Sequence, residues 1–457
     1  MKIFHHKKFT GAVLGFALIL SGASCKKSFY TGANINPNAP EPSSIIPSVM
    51  LSTVEGAIAY SIGGDFSRFS SLNLQQTKGV SRQAQGYYTY VYTSQDFDNA
   101  WANTYTAVLE NNKVLQDISD ARKFHAYSGV ARILKAFMLQ TAVDTWGSIP
   151  YSDALQGNDQ LQPKYDTDEG LYDTVTNLLT AAIAELNNAD AGALVPGGED
   201  FIYGGDTDKW IKFAHAIQGR IYLHQSKGNA AMAAKALAEF SQSFTENADN
   251  ATFRFQATDN GANPWYQFNT QRGDISFSQG GTATKMIALH DPRLPILIDT
   301  LKADGEDGLL YYGNQDGPVE LISFDEVMFA SAELTLRNGG TVGDAQAFYK
   351  TAIDSNMTKL GVSRPDIDTY LATNGTLPGS TDAAIAQIVT QAYLGLYLNP
   401  EAWTTWRRTG SPALTPVAGS GVPRRLLYPQ TEYSYNKTNI PNSSSVTLLA
   451  PKIFWDK

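Results

Sequence analysis

Two stretches of the chain set flat rings, amides and arginines close together. Gln85 to Tyr92 reads Gln-Gly-Tyr-Tyr-Thr-Tyr-Val-Tyr, with Arg82, Gln83 and Trp101 nearby in sequence. Asn263 to Arg272 reads Asn-Pro-Trp-Tyr-Gln-Phe-Asn-Thr-Gln-Arg. Aromatic faces lie against the apolar C–H faces of sugars, and planar amides and charged groups take the hydroxyls, so these residue types suit a saccharide ligand. The candidate contacts are Arg82, Tyr87, Tyr88 and Tyr90 in the first stretch, and Trp265, Tyr266, Phe268 and Arg272 in the second. For Tyr88, Tyr90 and Tyr92 the alternation fits strand or core packing equally well. Trp265 and Tyr266, in a loop flanked by Asn and Pro, read as ligand contacts. Trp101 opens a helix and is assigned to the core, as are Trp146 and Trp210.

Other chemistry finds little footing. Asp166, Asp168 and Glu169 are close enough for acid/base work, but they precede a helical pattern and suit its positive end. Asp304-Gly305-Glu306-Asp307-Gly308 is an acidic turn; structural calcium there is the one cofactor considered, although the alternating ligand spacing of a calcium loop is missing. His125, His215, His224 and His290 are scattered, with no pair at metal-ligand spacing on one helix. No glycine loop that cradles phosphate follows a strand, and no motif points to a Ser-His-Asp set. The expectation is a protein that is not an enzyme.

The single cysteine has an unusual place. Met1 to Lys8 is basic, Phe9 to Leu20 is mostly apolar, and Ser21-Gly22-Ala23-Ser24 leads into Cys25. That is a secretory signal, too short for a membrane span of about 20 residues. A lone thiol there is neither half of a disulfide nor part of a metal cluster; it reads as a lipid acceptor. Residues 1–24 are expected to be a lipoprotein signal peptide, residues 25–47 a lipidated tether and extended arm, and residues 48–457 one domain. Without the leader, 32 basic residues face 44 acidic ones, a formal charge of −12. Such a balance argues against a nucleic-acid partner.

Helices must position the two aromatic stretches. Trp101, Tyr105, Val108, Leu109 and Leu115 share one face; Val130, Leu134, Phe137 and Thr141 form a second stripe, and Leu171, Val175, Leu178, Ala182 and Leu186 a third. Phe213, Ile217 and Ile221 mark a fourth helix, with Ala230 to Phe244 as its partner. Glu326 to Leu336 and Asp344 to Met357, joined by Asn338-Gly339-Gly340, repeat that arrangement, with Ala345, Phe348, Tyr349, Ala352 and Ile353 packing inward and Asp344 as N-cap. The predicted fold is mostly α: degenerate tetratricopeptide-like hairpins with long irregular loops and a few short strands forming a ligand-binding face. Loop-rich binding insertions fall at about residues 66–100 and 247–320.

One motif closes the second stripe: Asp144-Thr145-Trp146-Gly147-Ser148-Ile149-Pro150-Tyr151. The glycine can end a helix in the left-handed conformation, and the proline prevents a restart. The motif also resembles the hallmark of the SusD/RagB family, nutrient-binding outer-membrane lipoproteins of Bacteroidetes. Ile35-Asn36-Pro37-Asn38-Ala39-Pro40 is similar to that family's N-terminal arm. Lys209-Trp210 with the helix through Arg220, Asp291 to Pro295, Glu326 to Glu333, Trp406 to Gly410, Pro423 to Leu426 and Lys452 to Lys457 resemble further landmarks in order. The resemblance implies that ligand sits on loops from the two aromatic stretches. It further implies a lipid-anchored protein of the outer membrane facing the cell exterior, which captures an oligosaccharide, or alternatively an oligopeptide, and hands it to a SusC-like TonB-dependent transporter. A helical-repeat scaffold binding only protein partners and a lipid-anchored hydrolase are the readings from other classes.

Overall fold

The computed structural model describes residues 45–188, 193–300 and 307–457. Cys25, the arm at Asn36-Pro37-Asn38 and residues 304–306 of the acidic turn lie outside them. Helices dominate, and strands occur as short antiparallel pairs. The helices used below are α1 (Pro47–Ser61), α2 (Ser67–Asn73), α3 (Arg82–Tyr88), α4 (Asn111–Arg122), α5 (His125–Trp146), α6 (Asp168–Asn187), α7 (Thr207–His224) and α8 (Ala230–Phe240). They continue with α9 (Pro264–Gln271), α10 (Phe324–Arg337), α11 (Val342–Lys359), α12 (Thr381–Gly395) and α13 (Glu401–Thr409). The fold class read from the sequence is the one observed, and residues 47–457 form one compact unit.

Neighbouring helices pair: α5 with α6, α7 with α8, and α10 with α11. The apolar stripes face inward, with Val130, Leu134 and Phe137 of α5, Leu171 and Val175 of α6, and Phe213 and Ile217 of α7 all buried. Almost every side of α5 is buried, which accounts for its apolar residues running all round the helix. At Gly129 a Cβ would lie 2.7 Å from Leu186 Cγ, so the glycine permits the close approach of α6. Helix starts follow capping chemistry. Asp206 accepts from the backbone of Asp208 and Lys209 to open α7, and Thr167 opens α6 with Asp168 and Glu169 in its first turn. Asp166 instead accepts the backbone N–H groups of Tyr151 and Ser152, each at 2.8 Å. Two expectations need correction. Thr341, not Asp344, caps α11; Asp344 completes the capping box from the third position. Phe348 points outward, 36% exposed.

The landmark motifs converge on a buried ionic network. His224, at the end of α7, lies with Nε2 2.8 Å from Glu401 Oε1 and Nδ1 2.8 Å from the Tyr172 hydroxyl. That hydroxyl donates to Asp144, which also accepts from the Trp455 indole N–H at 2.9 Å. Burial pushes the His224 imidazole down, but Glu401 and then Asp144 pull it back up to about 9. Arg407 donates to the Asp144 carbonyl at 2.6 Å and lies 4.0 Å over the Trp403 ring. Arg408 grips Glu333 with both terminal nitrogens, and Arg337 adds a third contact. Burial raises the Glu333 carboxyl, yet Arg408 and Arg337 hold it down to about 2. Arg424 pairs with Asp456, and Arg425 donates to the Trp146 carbonyl. Gly147, at φ +81° and ψ −127°, ends α5 outside the left-handed helical basin, in a region open chiefly to glycine.

A second buried acid gives a pH prediction. Glu55 of α1 is fully buried beside Asp200, whose oxygens accept from the backbone of Ile202, Tyr203 and Gly205 and from the Trp210 indole. Burial first, and Asp200 next, push the Glu55 carboxyl well above 4.5. Folding therefore favours the protonated acid, and stability falls as pH rises from about 4.5 through the raised folded value. Glu55→Gln keeps the acceptor for the Phe201 N–H, 2.8 Å away, and removes the ionisation. The variant is expected to melt higher than the parent at pH 8, with the difference vanishing toward pH 4.5. An equal difference at both pH values in thermal melts would refute this account.

Candidate functional site

A cavity of about 450 Å³ opens where the two aromatic segments meet, within the range typical of small-molecule sites. Its first wall is the kinked segment Ile62–Phe66 with α2, which supply Asp65, Arg68 and Phe69; the kink falls at Gly64. The second wall is α3 and the turn Ser94–Phe97, which supply Gln83, Tyr87 and Asp96, with Asn99 just beyond. The third is the end of α9, with Phe268, Arg272 and, beyond the helix, Asp274. A two-residue ladder staples the last two walls: β1 (Lys78–Gly79) pairs antiparallel with β2 (Ile275–Ser276), Lys78 opposite Ser276 and Gly79 opposite Ile275.

Each carboxylate anchors one wall. Asp96 Oδ1 accepts from Tyr87 Oη at 2.7 Å and Gln83 Nε2 at 3.0 Å, and Oδ2 accepts from the backbone N–H and hydroxyl of Thr93 at 2.7 and 2.8 Å. Burial raises the Asp96 carboxyl, but these bonds outweigh it and hold the group below its ordinary range. Burial, then Asp96, push the Tyr87 hydroxyl up. Asp65 pairs with Arg68 and accepts from Asn99 at 2.6 Å. Asp274 accepts from Arg272 Nε at 2.9 Å and from Arg82 at 3.3 Å. The rings are packed: Tyr87 stacks on Tyr92 at 4.7 Å and meets Phe69 edge-on. The guanidiniums of Arg68 and Arg272 lie 4.9 and 5.5 Å from the Phe268 centroid. Gln75, Arg82 and Tyr90, all within one short stretch beside the cavity, have φ between +49° and +61°. Left-handed backbone in such residues costs about 1–3 kcal/mol each and tends to gather at functional sites.

Of the residues chosen from the sequence, Tyr87, Phe268 and Arg272 line the cavity, and Arg82 stands at its rim, gripping Asp274. Trp265 needs correction. It is 2% exposed, its indole N–H donates to Ser67 Oγ at 2.9 Å, and it meets Phe268 edge-on, supporting that ring from behind. Its segment is the helix α9 rather than a loop, opened by Asn263 accepting from the Trp265 N–H. Tyr266, half-buried on α9, is not among the lining residues. Tyr88 and Tyr90 lie off the lining as well: α3 ends at Tyr88, and the Tyr90 hydroxyl accepts from Gln75, 3.2 Å away. The alternating tyrosines therefore form no strand. Asp65, Arg68, Phe69, Asp96, Asn99 and Asp274 escaped the sequence reading. Only Asp96 carried a local signal, the Thr93-x-x-Asp96 capping box.

Among the described residues, Asp144, His224 and Glu401 form the one group with metal-ligand potential. Both ring nitrogens of His224 are already engaged, and Arg220 and Arg407 supply positive charge beside the carboxylates. The chemistry of that set is an imidazolium clamp between acids. No helix among the described residues is long and apolar enough to cross a membrane.

The helical-hairpin scaffold carries a cavity lined by rings, amides, carboxylates and guanidiniums. Over residues 37–429 the chain matches, and it belongs to, the SusD-like family described as starch-binding and associating with the outer membrane. Solved structures share the fold. A SusD/RagB family protein from Bacteroides thetaiotaomicron superposes with a TM-score of 0.73 at 22% identity, over 90% of this chain and 99% of that one. A chitin-binding protein gives 0.75 at 23%, over 90% and 100%. A chitin-binding SusD homolog from Flavobacterium johnsoniae gives 0.70 at 21%, over 88% and 98%. No curated protein sequence matches significantly.

Proposed function

We propose that this protein captures a nutrient oligosaccharide at the outer membrane and delivers it, unbroken, to a SusC-like TonB-dependent transporter. The observation that carries this reading is the cavity itself, where rings from Phe69, Tyr87 and Phe268 meet the amides of Gln83 and Asn99 and the guanidiniums of Arg68 and Arg272. The family's starch-binding description agrees with it, as do structural relatives described as chitin-binding. Residues 1–24 serve as the export signal, lipid on Cys25 anchors the chain facing the cell exterior, and residues 25–47 act as the tether. Arg82 guards the rim.

Phe268→Ala removes the ring that both arginines rest on, and Asn99→Ala removes an amide from the wall. Each is expected to weaken oligosaccharide binding by about tenfold in calorimetry, on the order of 1.4 kcal/mol. Tyr266→Ala, off the lining, is expected to bind as the parent does. Equal losses for all three would overturn this placement of the site. Release of cleavage products on long incubation would overturn the non-enzymatic reading.

A further inference from the structure

The charges of the cavity are answered from within its own walls. Asp65 pairs with Arg68, Asp274 takes both Arg272 and, at the rim, Arg82, and Asp96 is answered by hydrogen bonds from neutral groups instead of by a guanidinium. The Asp274 side chain is 1% exposed and holds its two arginines from the buried end of each pair. Both oxygens of Asp96 are filled by Thr93, Tyr87 and Gln83. The amides of Gln83 and Asn99 each keep a carbonyl oxygen and a second N–H beyond the bonds described, groups that donate and accept as sugar hydroxyls do. A carboxylate on the ligand would lose its hydration here and meet only guanidiniums already paired, and an ammonium would meet carboxylates already paired or, at Asp96, already filled with hydrogen bonds.

Resting on the sugar-binding reading above, we infer that the cavity selects uncharged sugars and rejects both uronates and free-amine sugars. Asp65 and Asp274 determine that specificity by neutralising Arg68 and Arg272. Discrimination of this kind works through what the wrong ligand leaves unpaired.

The test is calorimetry of the full-length protein in detergent with two matched pairs of probes. One pair is chitohexaose and its deacetylated chitosan hexamer at pH 6; the other is methyl-esterified hexagalacturonate and the free acid. In whichever pair the backbone fits, the uncharged member is expected to bind at least about tenfold tighter. Asp65→Asn releases Arg68 and Asp274→Asn releases Arg272 and Arg82, and each is expected to raise affinity for the free galacturonate several-fold. Asp65 sits nearer the surface, so its variant keeps the test valid if Asp274→Asn fails to fold. A charged member that binds as tightly as its neutral partner, or no gain in a folded variant, overturns the selectivity while leaving the site in place. If the parent binds none of the four probes, the sugar-binding reading itself falls.

Discussion

Replacing His224 with glutamine is expected to lower the free energy of unfolding by about 3–5 kcal/mol near pH 7. Loss of one partner from a buried ionic cluster leaves the remaining charges uncompensated. Here those are Asp144 and Glu401, both at most 5% exposed. The effect also carries a pH signature. The imidazole titrates at about 9 when folded, against 6.5 ordinarily. Its contribution is complete below about pH 6.5 and is lost as pH rises through 9, a change on the order of 3 kcal/mol. Urea denaturation of parent and variant from pH 6 to 9.5 reads this directly. The gap between the two curves should narrow across that interval, and taking the difference cancels contributions from other groups such as Glu55. A gap that stays constant with pH would show that His224 is neutral in the folded protein and that the clamp does not exist.

The same network explains why scattered short motifs resembled family landmarks. Asp144-x-Trp146-Gly147 ends α5, the helix through Arg220 carries His224, Trp406-Arg407-Arg408 ends α13, and Lys452 to Lys457 closes the chain. Arg407 donates to the Asp144 and Arg424 carbonyls, and Trp455 donates to Asp144. These motifs hold distant segments together, and none of their residues is among those lining the cavity.

What the sequence revealed divides along the range of the interactions involved. The helix stripes were legible because burial repeats with the helical period, and Trp146 and Trp210 are buried as expected. Tyr87, Phe268 and Arg272 were legible as candidates from residue type alone, and all three line the cavity. Trp265 was misread because its partner, Ser67, lies 198 positions away, and nothing local marks an indole already satisfied. Arg68 and Phe69 sit on an ordinary helix and become cavity residues only through the walls that α3, the Ser94–Phe97 turn and the end of α9 set opposite them. The alternating tyrosines were open to a strand or to core packing, but backbone at positive φ in Arg82 and Tyr90 brackets a short helix and turn.

The site also depends on a residue with no side chain. At Gly79 a Cβ would lie 1.9 Å from the Ala84 carbonyl oxygen and 2.8 Å from the Gln85 nitrogen. Both are backbone atoms of α3, so no rotamer change relieves the clash, and overpacking of this kind typically costs about 1–3 kcal/mol. In Gly79→Ala, α3 must retreat from β1, carrying Gln83 and Tyr87 away from Asp96, or β1 must abandon Ile275 and let Asp274 drift from Arg82. Either movement opens the cavity. Oligosaccharide affinity is expected to fall at least about tenfold, while the helical signal in circular dichroism persists, because α5 to α8 and α10 to α13 do not rest on this ladder. Gly86→Ala is the control: it lies on α3 itself, and its Cβ would meet only the Val91 carbonyl at an ordinary 3.5 Å. Parent-like binding in Gly86→Ala beside loss in Gly79→Ala ties recognition to the staple. Equal binding by the two variants would mean that the walls hold their places without it, and that the β1–β2 ladder is incidental to the site.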